Sequence, residues 1–209
     1  MTGITKVESG RTAQEEDTPS QMRHRAANTL QLLSAVARMR SQKADEVEIR
    51  RQLLWVTETV GVLGALERHR QGSDVDFPAY LREMASIWRR RHRLADGALV
   101  VVTAQPIMVG EVQASTLALI VHELAANALS HGMVGTATDR IELHLIRRGE
   151  NQLELVVRDE GQGFDAQVPQ SSEHFGLWLV RSLADQLRGQ FDLQSHQGTT
   201  ARLTFTASR

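Results

Sequence analysis

Apolar positions repeat with helical spacing in two runs between residues 18 and 72. The first run opens on the capping-box sequence Thr18–Gln21 and continues to about residue 42. The second covers residues 46–71 and stops at Gly72, a residue suited to the left-handed position that follows a helix. A short polar link, SQKAD, separates the two runs. The pattern therefore predicts an antiparallel helical hairpin over residues 18–72, after a flexible polar segment at residues 1–17.

Beyond residue 75 the pattern switches between helical spacing and alternation with a period of two. Asp76 and Pro78 open a third helix, and the β-branched run after Gly97 indicates a short strand. A further helix contains LALIVHELAANALSHG, and RIELHLIRR and QLELVVRDE alternate as neighbouring half-buried strands do. The helix GLWLVRSLADQL and the strands GQFDLQS and TARLTFTA follow. The predicted fold class is α+β, with the hairpin followed over residues 76–209 by an α/β sandwich whose mixed sheet is covered on one face.

Composition limits the kinds of partner that the chain can have. The 209 residues carry 24 basic and 25 acidic side chains, so there is no overall field that attracts nucleic acid or an anionic membrane. The chain has no cysteine, which excludes thiol nucleophiles and fits a reducing cytosol. The polar N-terminus does not resemble a signal peptide, and no apolar run reaches about 18 residues. We expect a cytoplasmic protein with no membrane partner.

The basic cluster WRRRHR, residues 88–93, allows a nucleic-acid interpretation. In a chain of balanced charge, a short basic cluster on a helix usually forms a solvated face. We therefore predict no nucleic-acid partner.

His24 lies opposite the apolar side of the first predicted helix. Arg23 and Arg25 flank it, which favours the neutral, nucleophilic imidazole and attracts phosphate oxygens. An isolated histidine on a polar face is more often a solvated surface residue. The helix alone leaves both interpretations open.

The stretch HELAANALSHG places Glu123, Asn127 and His131 four residues apart, so that they form one polar stripe on a helix. The zinc motif H-E-x-x-H is excluded, because Ala126 occupies the position of the second histidine ligand. Mg²⁺ remains a candidate, since an amide oxygen, phosphate oxygens and water can complete its shell. An amphipathic helix with polar outer positions explains the stripe equally well.

Three glycine-containing stretches follow strands or precede helices. RDEGQGFD carries Asp159 at a strand end, followed by Gly161 and Gly163. In HFGLWLV, Gly176 precedes a helix whose free N–H groups can bind phosphate. In QGTTARLTF, Gly198 precedes Thr199 at the start of the last strand. Each stretch alone is also common in ordinary turns.

Two resemblances emerge from these motifs taken together and in order. The box H-R-x-x-N-x-L at His24 resembles the phosphoacceptor box of a subgroup of sensor histidine kinases. The H-E-L-x-x-N helix, the D-x-G-x-G loop, the G-L-x-L-V helix start and the final G-T strand resemble the N, G1, G2 and terminal boxes of the GHKL ATPases. The resemblance covers about residues 18–207.

The resemblance implies a dimerisation and phosphoacceptor domain at residues 18–72 and a GHKL-type catalytic domain with the Bergerat ATP-binding fold at residues 76–209. It implies that Asn127 coordinates Mg²⁺, that Asp159 recognises the adenine amino group of ATP and that Thr199 lies near the adenine. The residues that would line the nucleotide and its lid are Gly161, Gly163, Gly176 and Leu177.

Two further residues of the polar stripe have candidate roles at this site. Glu123 is the candidate for orienting groups or transferring a proton, and His131 is a candidate phosphate contact. An alternative for His131 is an interaction with the dipole at the helix end. Trp178 stands where many kinases have a second glycine, and the lid between Gly163 and Gly176 is short.

The function implied is that of an ATP-dependent protein histidine kinase of a two-component phosphorelay. It would phosphorylate His24 and pass the phosphoryl group to an aspartate of a response regulator receiver domain. Two alternatives remain: a histidine phosphotransferase of the same architecture without a working ATP site, and an anti-sigma-type serine/threonine kinase.

Two expectations concern assembly. The second predicted helix carries more apolar surface than one hairpin can bury, which predicts a homodimer through a four-helix bundle; the residues are Leu53, Val56, Val60, Leu63 and Leu66. About 17 residues precede the hairpin, too few for a folded sensor. We therefore expect the signal to come from a separate sensory partner, or the chain to be one part of a larger system.

Overall fold

The computed structural model describes residues 46–92, 94, 98–103, 106–132, 140–161, 163, 175–195 and 197–207. The predicted first helix and His24 lie outside the described residues, as does the predicted flexible segment at residues 1–17.

The second predicted helix ends earlier than its apolar pattern indicates. Helix α1 covers Val47–Glu67 rather than residues 46–71. The chain then forms strand β1, Arg70–Gln71, which pairs antiparallel with strand β2, Asp74–Asp76. Gly72, with φ of +66°, lies in the turn of this hairpin and does not terminate the helix. The predicted left-handed conformation of Gly72 is therefore confirmed, but the turn of a β-hairpin requires it, not the end of the helix.

A small three-stranded sheet joins α1 to the rest of the molecule. Strand β4, Met108–Gly110, pairs with β2 and completes the order β1-β2-β4. Helix α2, Phe77–Arg91, starts directly after β2, and the Asp76 side chain caps it by accepting a hydrogen bond from the Ala79 backbone N–H at 3.0 Å. The predicted start of this helix is thus confirmed.

The main sheet has five strands, which are β3 (Leu99–Thr103), β5 (Ile141–Arg147), β6 (Gln152–Asp159), β7 (Gln190–Ser195) and β8 (Thr199–Thr206). They lie side by side in the order β3-β5-β6-β8-β7. Strands β3 and β5 run parallel, and the other neighbouring pairs are antiparallel. The sheet is therefore mixed, as predicted, and the strands that alternate in sequence pair with each other.

Helix α3, Glu111–Asn127, is the central helix of the core that the helices form with the sheet, and α4, Phe175–Gln186, packs beside it. On β5, Ile141, Leu143 and Leu145 are fully buried, while the residues between them are part-exposed. Residues Glu111–Ser130 are long and apolar enough to qualify as a candidate membrane span, but 72% of that stretch is buried inside the protein. Its apolar character is therefore explained by its place in the core.

A buried histidine lies where α1, α2 and α3 meet. His122 is 5% exposed, its ring stacks on Trp88 with centroids 6.4 Å apart, and its Nε2 lies 3.7 Å from Glu58 Oε2. Its Nδ1 has no hydrogen-bond partner within the described part of the chain. Burial lowers the pKa of His122, and Arg91 acts in the same direction, while Glu123 and Glu58 oppose the shift.

We predict that His122 makes folding stability sensitive to mild acid. The imidazole of His122 binds a proton less readily in the folded chain than in the unfolded chain. Its contribution to the free energy of unfolding is therefore complete above the ordinary pKa of 6.5 and is lost as pH falls below that value. The His122→Gln variant should therefore lose less stability than the unmodified chain when pH falls from about 7.5 to about 5.5, as measured by thermal unfolding. His92→Gln, at an exposed position after α2, should keep the full loss. Equal losses in both variants would show that His122 does not contribute.

Candidate functional site

The carboxylate of Asp159 fixes the chain where β6 ends. Asp159 is 6% exposed, and its Oδ1 accepts hydrogen bonds from the backbone N–H groups of Gly161 at 3.0 Å and Thr199 at 3.2 Å. Asp159 and Thr199 are also directly paired in the β6–β8 register. The structure thus brings together three residues that the sequence analysis selected from two separate motifs.

Two glycines allow the loops around Asp159 to approach each other closely. Gly163 has φ of +71°, and a Cβ there would lie 2.5 Å from Ser195 Oγ and 3.0 Å from the Gly198 carbonyl oxygen. Gly198 has φ of +116°, and a Cβ there would overlap the backbone carbonyl oxygen of Asp159. Larger residues would separate the loop after β6 from the turn before β8, so these glycines maintain the geometry around the carboxylate.

The C-terminal part of α3 supplies the second group of candidate residues. Glu123 is 7% exposed, whereas Asn127 is exposed at the end of the helix. A Cβ on Gly176 would lie 2.6 Å from Glu123 Oε2 and 3.9 Å from Asn127 Nδ2. Gly176 therefore stands directly against both side chains. The alternative interpretation of the stripe, an amphipathic helix with polar outer positions, does not describe Glu123, because the first turn of α4 lies against its side chain.

The first turn of α4 differs slightly from the prediction. The helix begins at Phe175, so Gly176 is its second residue and does not precede it. Leu177 is half-buried, and Trp178, which replaces a second glycine, is 59% exposed. Backbone N–H groups of a first helical turn have no partner within the helix, so this turn can present them to an anion beside Asn127.

The predicted stripe of polar residues does not continue regularly to His131. Residues Ala128–Gly132 form a π-helix, in which each turn takes more residues than in an α-helix. The regular α-helical geometry on which the predicted stripe was based therefore ends at Asn127. The side chain of His131 lies outside the described part of the structure.

A hydrogen bond from α1 reaches the same site. The indole Nε1–H of Trp55 donates to Glu123 Oε1 at 2.6 Å, across a sequence separation of 68 residues. Glu58, one turn further along α1, pairs with Arg91 and approaches His122. These contacts could not be predicted from the sequence, because neither Trp55 nor Glu58 belongs to a motif and both are remote in sequence from α3.

The donor chemistry near α3 suits a metal that keeps most of its water. Among the residues that the structure describes, there is no group of three or more His, Cys, Asp or Glu side chains able to hold a metal ion. The exposed amide of Asn127 offers one neutral oxygen. Mg²⁺ fits such a site, since it prefers oxygen ligands and completes its shell with phosphate oxygens and water.

Curated relatives of the chain are sensor histidine kinases. It is 26% identical over 211 residues to the sensor histidine kinase PdtaS of Mycobacterium tuberculosis, a match that covers 93% of this chain and 40% of that protein. The chain thus spans about two fifths of the length of the curated relatives it matches.

Solved structures show the same fold. The histidine kinase domain of the Erythrobacter litoralis EL346 blue-light activated histidine kinase superposes with a TM-score of 0.63 at 19% identity, covering 85% of this chain and 95% of that one. The longer structure of the same EL346 kinase superposes with a TM-score of 0.65 at 22% identity, covering 96% of this chain and 62% of that one.

The sequence model of the histidine kinase-like ATPase domain matches residues 88–205, more than half of the 209-residue chain. The matched segment contains Asp159, Glu123, Asn127 and the first turn of α4, the residues that form the candidate site. The chain therefore belongs to the family of proteins with a histidine kinase-like ATPase domain.

Proposed function

We propose that the chain is an ATP-dependent protein histidine kinase of a two-component phosphorelay, which phosphorylates its own His24 and passes the phosphoryl group to an aspartate of a response regulator. Its family and its curated sensor-kinase relatives support this proposal. The H-R-x-x-N box around His24 supports the choice of acceptor.

The observation that carries the proposal is the fixed carboxylate of Asp159. Two backbone N–H groups donate to Oδ1, and no donor to Oδ2 is found among the described residues, so this second oxygen can accept from a ligand. A buried carboxylate with one such oxygen is suited to an exocyclic amino group, which adenine has. The contact between Thr199 and this carboxylate supports its assignment near the adenine.

The phosphates of ATP would lie at the other group of residues. The π-helix that follows α3 packs against β6, so α3 and Asp159 belong to neighbouring elements. Asn127 would bind Mg²⁺, which would neutralise phosphate charge when present. The N–H groups at the start of α4 would hold phosphate oxygens, together with Gly161, Gly163 and Leu177 along the nucleotide.

The reaction exchanges one phosphorus bond for another. An imidazole nitrogen of His24 forms a bond to the γ-phosphorus as the bond to the β,γ-bridging oxygen breaks, and ADP leaves. Glu123 is suited to orient the imidazole or to take its proton, because its carboxylate lies beside the first turn of α4. In the second step, a carboxylate oxygen of the receiver aspartate forms a bond to this phosphorus as the bond between phosphorus and the imidazole nitrogen breaks, which regenerates His24. Phosphoryl transfer depends mainly on positioning and charge stabilisation, which these residues supply.

We further propose a homodimer, which the surface of α1 supports. Of the apolar residues that the sequence selected on this helix, Val56 is exposed, whereas Leu66 is buried in the core of the chain itself and is not available to a partner. The other exposed apolar side chains of the helix are Val47, Ile49 and Leu54. Val47 and Leu54 lie on one side of the helix, and Ile49 and Val56 lie on the opposite side, so each side presents apolar surface that a partner could cover. A second hairpin would cover it in a four-helix bundle.

The first prediction concerns the phosphoryl acceptor. With labelled ATP, His24→Ala should abolish acid-labile, alkali-stable labelling, since no imidazole remains at the acceptor position, and it should leave nucleotide binding intact. His92→Ala, at an exposed histidine, should label like the unmodified chain. Labelling of His24→Ala at the unmodified level would assign the acceptor to another residue.

The second prediction concerns Mg²⁺ and separates a kinase from a phosphotransferase. Asn127→Asp adds charge and removes the amide while keeping the shape, so it should weaken Mg²⁺-dependent ATP binding in calorimetry and eliminate self-labelling. His24 should still accept phosphate from a phosphorylated receiver domain. The matched control Asn151→Asp, in the exposed turn between β5 and β6, should bind ATP normally. If the unmodified chain shows no binding at millimolar ATP and Mg²⁺, the phosphotransferase alternative replaces the kinase.

The third prediction concerns assembly. Light scattering at micromolar concentration should give twice the chain mass, because the apolar surface of α1 is buried between two hairpins. Val56→Glu should shift the mass towards the monomer, since it places a charge in that surface. Val112→Glu, which is 77% exposed at the start of α3, should remain dimeric. A monomeric unmodified chain contradicts the proposed dimer.

A further inference from the structure

The bond between Trp55 and Glu123 joins two elements that the sequence keeps far apart. Trp55 lies on α1, which the sequence assigns to the hairpin, and Glu123 lies on α3 of the sandwich. Their atoms Nε1 and Oε1 are 2.6 Å apart. A buried carboxylate needs donors, and an indole N–H can donate but cannot accept. The bond therefore restricts the orientation of the Glu123 carboxylate without competing for its proton.

The two oxygens of Glu123 face different elements. Oε1 is held by Trp55, and Oε2 lies beside Gly176 in the first turn of α4, where a Cβ would be 2.6 Å away. Asn127 Nδ2 lies beside the same turn. With one oxygen held from the α1 side, the other is directed towards the position at which the phosphates would bind.

A second side chain of α1 also lies against α3. Glu58 lies three residues after Trp55 and pairs with Arg91 of α2. Its other oxygen approaches Nε2 of His122, the residue before Glu123. Two side chains on successive turns of α1 thus contact two consecutive residues of α3. A rotation or displacement of α1 would necessarily disturb the bond to Glu123.

We propose that Trp55 is a positioning residue, whose indole N–H holds the Glu123 carboxylate in the orientation needed for phosphoryl transfer and makes that orientation depend on the position of α1. The inference rests on the proposed kinase function. It assigns a role to a hairpin residue that belongs to none of the sequence motifs.

The bond itself can be tested without any enzymatic activity. The chain has 3 tryptophans, so the full-length ¹⁵N-labelled protein should give three indole N–H resonances, and Trp55→Phe identifies that of Trp55 by its loss. Glu123→Gln, which turns a charged acceptor into a neutral one, should move this resonance and leave that of Trp178 in place. An unmoved Trp55 resonance would overturn the inference.

The role of Trp55 in phosphoryl transfer is tested by comparing the rate of self-labelling with the affinity for ATP. Trp55→Phe keeps most of the ring but loses the donor, so the rate of self-labelling at saturating ATP should fall by roughly tenfold or more. The Kd for ATP with Mg²⁺ should change by less than about twofold, since the indole N–H bonds Glu123 rather than the residues assigned to nucleotide binding. In a Glu123→Gln background, Trp55→Phe should have almost no further effect, because both changes act on the same carboxylate.

Trp88→Phe is the matched control, because it removes an indole from the same buried region but not from Glu123. It should keep the transfer rate even if it lowers stability. If the unmodified chain labels itself and the Trp55→Phe variant does so at the same rate, the role of Trp55 is overturned but the kinase function is not. An unmodified chain that binds ATP but never labels itself overturns the proposed kinase function, and the role of Trp55 with it.

Discussion

The buried carboxylate of Asp159 is the constraint on which the rest of the site depends. A carboxylate this far from water requires donors, and the chain supplies them from two backbone segments, at Gly161 and at Thr199. One side chain thus holds together the end of β6, the loop after it and the start of β8. Because β6 lies between β5 and β8 in the sheet, this junction is anchored in the core. The loop can therefore carry function while its base remains fixed.

The parts of the fold that the sequence predicts correctly are those that local patterns determine. Alternation with a period of two identifies β5, β6 and β8, and the Asp76 cap identifies the start of α2. Local patterns fail at residues 68–76, because strands of two and three residues are too short to show alternation. They also fail for the π-helix, since nothing in ALSHG distinguishes it from a regular helix end.

The candidate site could be predicted as a set of motifs but not as a set of contacts. Asp159, Gly161 and Thr199 were selected from two motifs, and the β6–β8 register brings them together. The tryptophan that reaches Glu123 could not be predicted, because a contact across 68 residues has no spacing to detect. The structure gives a second reason for glycine at position 176. A side chain there would collide with the carboxylate of Glu123, so glycine is required even before a ligand binds.

The short strands after α1 have a mechanical consequence. Within a few residues of its C-terminal end, α1 leads into β1, and β2 is hydrogen-bonded on both sides, to β1 and to β4. A connection held in this way resists bending, because any hinge there would break backbone hydrogen bonds on two edges. A rotation of α1 about its axis would therefore be transmitted to the sandwich, because the connecting segment does not bend. The connection between the helix and the sandwich is rigid rather than flexible.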